Sequence, residues 1–356
     1  MTEPPAIGFD AHVLTGKYQG TRSTLTNLLR ALGDRIGTRR LIVYADDPAA
    51  ARAAIGVDAF EYVALARRGA IRRLLAFPRL FRRDGVAIGV FQYIAPLAGR
   101  HVVFVHDILP LTHPRYFPLG MRLRMGVFGA LAIRRAALVI VVSEDTRAAV
   151  QARFRLPPER LRVVLNGPSF PQAVYDGAEP VAPRYILTVG RIERRKNVGL
   201  LIAAFRAAGL ADVRLVIVGA VDAGFAFEVP HDPRIDLRSR VPEDALIALY
   251  RGASLFVYPS AAEGFGIPLL DATLFGIPTI ASNRTALPEV GGDLVRYFDS
   301  GAADALSTLA ALIAGHFGAS PVPAPNAAQR RAQADRFCWA RAADAFLASI
   351  DGIAAR

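Results

Sequence analysis

The chain has 356 residues, 53% of them hydrophobic and 21% charged, a composition that excludes intrinsic disorder and, at about 150 residues per domain, fits two α/β domains. No run of about 18 apolar residues occurs, so no membrane-spanning helix is expected, and the single cysteine, Cys338, excludes a disulfide framework and any cysteine-cluster zinc site. The formal net charge is +12, and the whole excess lies in one half: residues 1–170 hold 25 Lys and Arg against 12 Asp and Glu, whereas residues 171–356 hold 18 against 19.

Along the chain, short apolar runs alternate with helix-like segments, the pattern of parallel strands joined by crossover helices. In the first half the runs are 7–10, 40–45, 86–93, 102–106, 138–143 and 162–165, with amphipathic stretches at 23–35 and 144–154. RRGAIRRLLAFPRLFRR, from Arg67 to Arg83, carries seven arginines and no acid among apolar residues, and residues 108–143 carry five arginines and no acid. Such stretches read as a solvated helix face or as a surface lying on anionic lipid headgroups. No zinc-finger spacing, RNP-like aromatic motif or helix-turn-helix pattern stands out, so no nucleic-acid partner is expected. After Asn166-Gly167-Pro168, the prolines at 171, 180 and 183 mark a linker. The strand pattern restarts at 185–190, 213–219, 253–260 and 278–281, and residues 337–353 read as an amphipathic helix.

These boundaries give an N-terminal domain at 1–168, a linker at 169–183, a second domain at 184–330 and a segment at 331–356 that can return to the first domain. The expected fold class is α/β, two Rossmann-like domains facing an interdomain cleft, with ligands outside the carboxyl ends of the strands. The opening MTEPPAIGFDAH has neither the basic nor the apolar segment of a secretory leader, which gives a cytoplasmic expectation.

Two loops carry candidate chemistry. GRIERRKN (190–197) follows a strand and opens a helix; Gly190 lets the backbone approach a ligand, the helix N-terminus favours an anion, and Arg191 and Lys196 add positive charge. Basic residues after a strand are also common in ordinary loops, and no Gly-x4-Gly-Lys-Ser/Thr phosphate loop occurs. Only Lys17 and Lys196 among the 43 basic residues are lysines, and an ammonium and a guanidinium serve a phosphate differently. In PSAAEGFGIPLLDA (259–272), Gly264 and Gly266 free the backbone and a helix begins near Pro268. Glu263 alone reads equally as a helix cap. With Asp271 and the glycines it reads as one of two hydroxyl acceptors around a sugar and a ribose, beside amides offered to phosphate.

FVHDILPLTHPRYF, VVSEDTRAAV, GRIERRKN, SAAEGFGIPLLDA and GIPTIASNRTALPEVGGD, in that order over nearly the whole chain, resemble glycosyltransferase family 4, retaining transferases of the GT-B fold. The resemblance implies that Arg191 and Lys196 neutralise a departing nucleotide diphosphate beside Gly190. It implies that Glu263 contacts the transferred sugar, with Gly264, Phe265, Gly266 and Ile267 close to sugar and phosphate. Asp271, where the family normally has Glu, would bind the ribose hydroxyls, and the loop 238–244 would put Val241 near the base. DAHVLTGKYQG (10–20) corresponds to the family's glycine loop, with Gly16 and Lys17 towards the donor and Gly20 and Thr21 towards the acceptor, although Gly20-Thr-Arg stands where Gly-Ile-Gly is usual. His106 would lie beside the donor sugar, and Asp107 on the acceptor side; a lone histidine at a strand end is otherwise ordinarily structural.

No Asp-x-Asp occurs, so neither a metal nor a cofactor is expected. The resemblance implies a front-face, retaining displacement in which the leaving phosphate helps to take the acceptor proton. The favoured donor is GDP-mannose, because HDILPLTHPRYF is similar to bacterial mannosyltransferases of the family, with UDP- and dTDP-sugars as the open alternatives. The acceptor expected is a lipid-linked or growing surface-polysaccharide glycan, with the basic half on the inner face of the cytoplasmic membrane. The alternatives are a nucleotide-sugar epimerase, a soluble disaccharide synthase or a non-catalytic sugar-binding scaffold.

Overall fold

The computed structural model describes residues 6–15, 20–65, 70–96, 99–176, 184–228 and 231–354. The chain divides into two compact units, Met1–Gly167 with Phe337–Arg356, and Pro168–Arg336.

The first unit holds seven strands: β1 (Ala6–Asp10), β2 (Leu41–Ala45), β3 (Glu61–Ala64), β4 (Val86–Gln92), β5 (His101–Val105), β6 (Leu138–Val141) and β7 (Leu161–Val163). They form one parallel sheet in the order β3-β2-β1-β4-β5-β6-β7. Every residue of β1, β2, β5 and β6 is buried, as expected where helices cover both faces of a parallel sheet. Helices Gly20–Gly33 and Trp339–Ala354 cover one face, where the Phe346 ring lies 5.6 Å from Phe9 and 5.9 Å from Phe104.

Helix Ala70–Asp84 covers the other face. Phe77 is fully buried, with its ring 5.0 Å from Phe91 and 5.7 Å from Tyr44. In the described part of the arginine-rich stretch, Phe77, Leu80 and Phe81 pack on the protein core. Among the described residues of that helix, Leu75 alone is a large exposed apolar side chain. The second basic stretch behaves differently. Over Leu119–Gly129, Leu119, Leu123, Val127 and Phe128 are 55–62% exposed beside the exposed Arg122 and Arg124. Among the described residues, no helix is long and apolar enough to cross a membrane.

The second unit holds β8 (Tyr185–Val189), β9 (Arg214–Val218), β10 (Ile235–Arg238), β11 (Leu255–Tyr258), β12 (Thr279–Ser282) and β13 (Arg296–Phe298). Their parallel order is β10-β9-β8-β11-β12-β13. The three strands absent from the sequence reading, β3, β10 and β13, are all sheet edges. They are only partly buried and so lack the unbroken apolar run that marks an inner strand. Residues 169–176, read from their prolines as linker, pack within the second unit; Phe170 and Tyr175 are 5% and 4% exposed. Pro180 and Pro183 lie outside the described residues.

Candidate functional site

In the second unit, Arg195, Lys196 and Glu263 come together past the carboxyl ends of β8 and β11. Past β8 the chain turns at Gly190, and past β9 at Gly219, whose φ is +158°. A Cβ on Gly219 would lie 1.9 Å from the Gly190 carbonyl oxygen, so the two turns meet backbone to backbone and leave no room for a side chain. The Ile192 amide donates to the Ala220 carbonyl at 2.9 Å, fastening the first loop to the second. A short turn, Arg194–Lys196, then leads into helix Val198–Ala207.

Lys196 and Arg195 converge on Glu263 from that turn. Lys196 Nζ donates to Glu263 Oε1 at 2.6 Å and to the Tyr258 hydroxyl at 2.7 Å. Arg195 Nη1 donates to Glu263 Oε2 at 2.7 Å and to the Ala262 carbonyl at 2.8 Å, while Nη2 lies 2.8 Å from Glu193 Oε1. The Ala261 amide donates back to the Arg195 carbonyl. The Glu263 amide donates to Thr285 Oγ1 at 2.8 Å. Thr285 has φ +51°, a conformation rarely populated by β-branched residues and one that tends to be kept where a site needs it.

Glu263 is 6% exposed. Burial works to raise its pKa, but Arg195 and Lys196 outweigh it and hold the carboxyl down at about 2. Burial draws the Lys196 ammonium downward while Glu263 pulls the other way, and burial followed by the Glu263 charge pushes the Tyr258 hydroxyl up. The result is an ionised carboxylate shared between two cations, with one cation also bonded to a neutral phenol. Arg191 is a third cation on the same loop, its side chain 33% exposed and 4.0 Å from Asp222.

Helix Ile267–Leu274 begins beside this cluster. Gly266 precedes it with φ +101°, where a Cβ would come within 2.7 Å of Leu287 Cδ2. Pro268 occupies its first turn, and the Leu269 and Leu270 amides donate to the Gly266 carbonyl at 2.9 and 3.2 Å. Gly264 and Ile267 are partly buried and Phe265 is 4% exposed. Asp271 is turned inward and 2% exposed. Its oxygens accept from the Ser169 amide and hydroxyl and from the Tyr175 hydroxyl. A ribose contact, as implied by resemblance, would require those bonds to open. Val241 is partly buried and follows β10 by a few residues.

In the first unit, His106 follows β5 directly. Its Nε2 lies 2.7 Å from Gln92 Oε1 at the end of β4, and burial pulls its pKa down to about 4. The imidazole is thus neutral at pH 7, with Nε2–H donating to Gln92 and Nδ1 left as an acceptor. Asp107 Oδ1 accepts from the Leu109 amide at 2.9 Å and starts the next turn. Gly20 and Thr21 open helix Gly20–Gly33, whereas Gly16 and Lys17 lie outside the described residues. A cavity of about 440 Å³ lined by Arg100, Arg134, Arg135, Arg160 and Arg162 sits at the opposite, amino-terminal edge of β5, β6 and β7. Among the described residues, no group of three or more His, Cys, Asp or Glu could hold a metal ion.

Sequence reasoning missed Arg195, Tyr258, Thr285 and Gln92. Tyr258 and Gln92 had a signal, a polar group closing an apolar strand; Arg195 had only its adjacency to Lys196.

The family model described as Glycosyl transferases group 1 matches residues 175–313, and the one described as Glycosyltransferase Family 4 matches residues 18–168. The chain belongs to glycosyltransferase family 4. O-antigen chain mannosyltransferase B of Escherichia coli is 30% identical over 243 residues, covering 63% of this chain and 64% of that protein. O-antigen chain mannosyltransferase RfbU of Salmonella typhimurium is 24% identical over 204 residues, 56% of each chain. In both cases the match spans less than two thirds of the relative's length. The structure of Anabaena Alr3699/HepE in complex with UDP and glucose superimposes with a TM-score of 0.72 at 19% identity, over 98% of this chain and 100% of that one. Sucrose-phosphate synthase from Thermosynechococcus elongatus gives 0.76 at 17%, over 99% and 100%. These likenesses are likenesses of fold, the two Rossmann-like domains of GT-B.

Proposed function

We propose that this family 4 chain is a retaining, metal-independent glycosyltransferase that moves a hexose, with mannose from GDP-mannose favoured, onto a lipid-linked or growing surface-polysaccharide glycan. The observation that carries the reading is the division of Glu263 between Lys196 and Arg195 at the start of helix Ile267–Leu274. Relatives named O-antigen mannosyltransferases support the sugar and the acceptor class, and the UDP complex of a structural neighbour supports a nucleotide-bound donor.

As the bond from the anomeric carbon to the β-phosphate oxygen breaks, negative charge grows on the diphosphate. Fixed cations and amides aimed there lower the barrier more than they stabilise the bound donor. Lys196 and Arg191 supply the charge, and the amides of Gly264, Phe265 and Gly266 supply the dipoles. Glu263, kept ionised, accepts from a sugar hydroxyl. The acceptor hydroxyl attacks from the side the diphosphate leaves and passes its proton to a leaving phosphate oxygen, so no enzyme nucleophile is consumed. The family resemblance assigns neutral His106 and Val241 to the donor, and likewise Gly16 and Lys17, which lie outside the described residues.

The exposed apolar residues of Leu119–Gly129, with the exposed Arg122 and Arg124 among them, support a peripheral hold on an anionic membrane surface from the cytoplasmic side. The test of the transfer is incubation with GDP-mannose, UDP-glucose and dTDP-glucose, each with and without EDTA, on a membrane acceptor fraction. The expected product retains the donor's anomeric configuration and forms equally in EDTA. An inverted product, or transfer abolished by EDTA, overturns the mechanism.

A further inference from the structure

Asp271 occupies the helix that opens at Gly266, yet its carboxylate serves the protein. Oδ1 accepts from the Ser169 amide at 2.9 Å and from the Tyr175 hydroxyl at 2.7 Å, and Oδ2 accepts from the Ser169 hydroxyl at 2.6 Å. The Tyr175 hydroxyl in turn accepts from the Phe170 amide at 3.2 Å, so the small network closes on itself. An apolar clamp surrounds it: the Tyr175 ring lies 4.7 Å from Phe275, and Phe170 lies 6.0 Å from Phe275 and 6.2 Å from Tyr250. Ser169–Tyr175 follows Pro168, the first residue of the second unit, just past Gly167, where the first unit's opening stretch ends.

An aspartate is one methylene shorter than a glutamate, which brings the carboxylate close to its own helix and within reach of a neighbouring backbone amide. Three of its roughly four acceptor positions are filled, and only 2% of the residue is exposed. A ligand hydroxyl would have to displace partners that are already charge-assisted and desolvated. We infer that Asp271 is a positioning residue that fastens Ser169–Tyr175 to the helix at the donor site, and that the ribose hydroxyls of a nucleotide are not its ligands. The first clause rests on the contacts alone, the second on the transferase reading above.

The test compares the full chain with Asp271→Asn, Ser169→Ala and Tyr175→Phe. Hydrogen exchange reads the latch, and the affinity ratio of GDP to 2′-deoxy-GDP and 3′-deoxy-GDP reads the ribose. The expected result is at least tenfold faster exchange at the Phe170 amide in all three variants, with the ribose-to-deoxyribose ratio of Asp271→Asn within twofold of wild type. A wild-type ratio near one also agrees. A ratio that collapses towards one only in Asp271→Asn, or exchange at Phe170 unchanged in all variants, overturns the assignment. If the wild type binds no nucleoside diphosphate at all, the transferase reading falls and the exchange measurement decides the latch by itself. Ser169→Ala and Tyr175→Phe keep the question open to measurement should Asp271→Asn fail to fold.

Discussion

Arg195 Nη1 and Glu263 Oε2 lie 2.7 Å apart, while the other oxygen of Glu263 is left to Lys196 and Tyr258. This division lets one cation leave without abandoning the carboxylate. On the proposed reading, Lys196 turns to the diphosphate while Arg195 still holds Glu263 in place, and Oε1, with Tyr258 still on it, is opened to a sugar hydroxyl.

Lys196→Met and Arg195→Met therefore separate two roles. Lys196→Met should remove a donor aimed at developing charge, costing about 10²–10³ in kcat and abolishing stabilisation by nucleotide diphosphates in thermal shift. Arg195→Met should keep nucleotide affinity within a few fold while lowering kcat, and Arg195→Lys should recover part of it. It should also destabilise the second unit by about 1.5–3 kcal/mol, the range for hydrogen bonds to charged groups. Equal loss of nucleotide binding in both variants would contradict the division.

The pH dependence of stability follows from two buried carboxyls with opposite shifts. Burial pushes Asp271 up to about 6 against the hydrogen bonds from Ser169 and Tyr175. Its stabilising effect is thus full below about 4 and is lost as pH rises through 6. Glu263, held near 2, contributes stability that is present above about 4.5 and lost only as pH falls through 2. The unfolding free energy of wild type, relative to Asp271→Asn, should decline between pH 4 and 6 by on the order of 3 kcal/mol and stay flat above. Chemical denaturation at unit pH intervals measures it; a flat difference would show that Asp271 does not titrate there.

How much of this could be read from the sequence depends on distance along the chain. The inner strands announced themselves as unbroken apolar runs, and the Lys196 and Glu263 loops as glycine and charge motifs. Asp271 also stood out, but its partners Ser169 and Tyr175 lie about a hundred residues away, and no local pattern encodes a pairing made by the tertiary fold. Thr285 was hidden for the same reason: its hydroxyl matters only because β12 and the turn after it bring it to the Glu263 amide.

The two basic stretches are expected to part company at a lipid surface. Val127→Asp with Phe128→Asp should weaken co-sedimentation with anionic vesicles by at least about tenfold, since each apolar side chain that enters a membrane is worth about 1.5–3 kcal/mol. Leu75→Asp, on the helix whose apolar face is buried against Phe91 and Tyr44, should leave binding within a factor of about two. The reverse order would return the lipid contact to the first stretch.

Phe346, fully buried between Phe9 and Phe104, ties the last helix to the first sheet. Phe346→Ala should destabilise the first unit by about 3–5 kcal/mol, seen as faster hydrogen exchange in β1 and β5, with amides of β8 and β11 unchanged. Uniform loosening of both units would show that they unfold as one.

That same tie sets an order of events at the ribosome. The apolar groove over Phe9 and Phe104 is closed by residues made only after all of Pro168–Arg336 has been synthesised, a delay of roughly ten to thirty seconds at ordinary elongation rates. The second unit is contiguous in sequence and can finish first. Of the two units, the one begun earlier is completed later, and through that interval its open groove is the surface on which a nascent-chain chaperone would have something to hold.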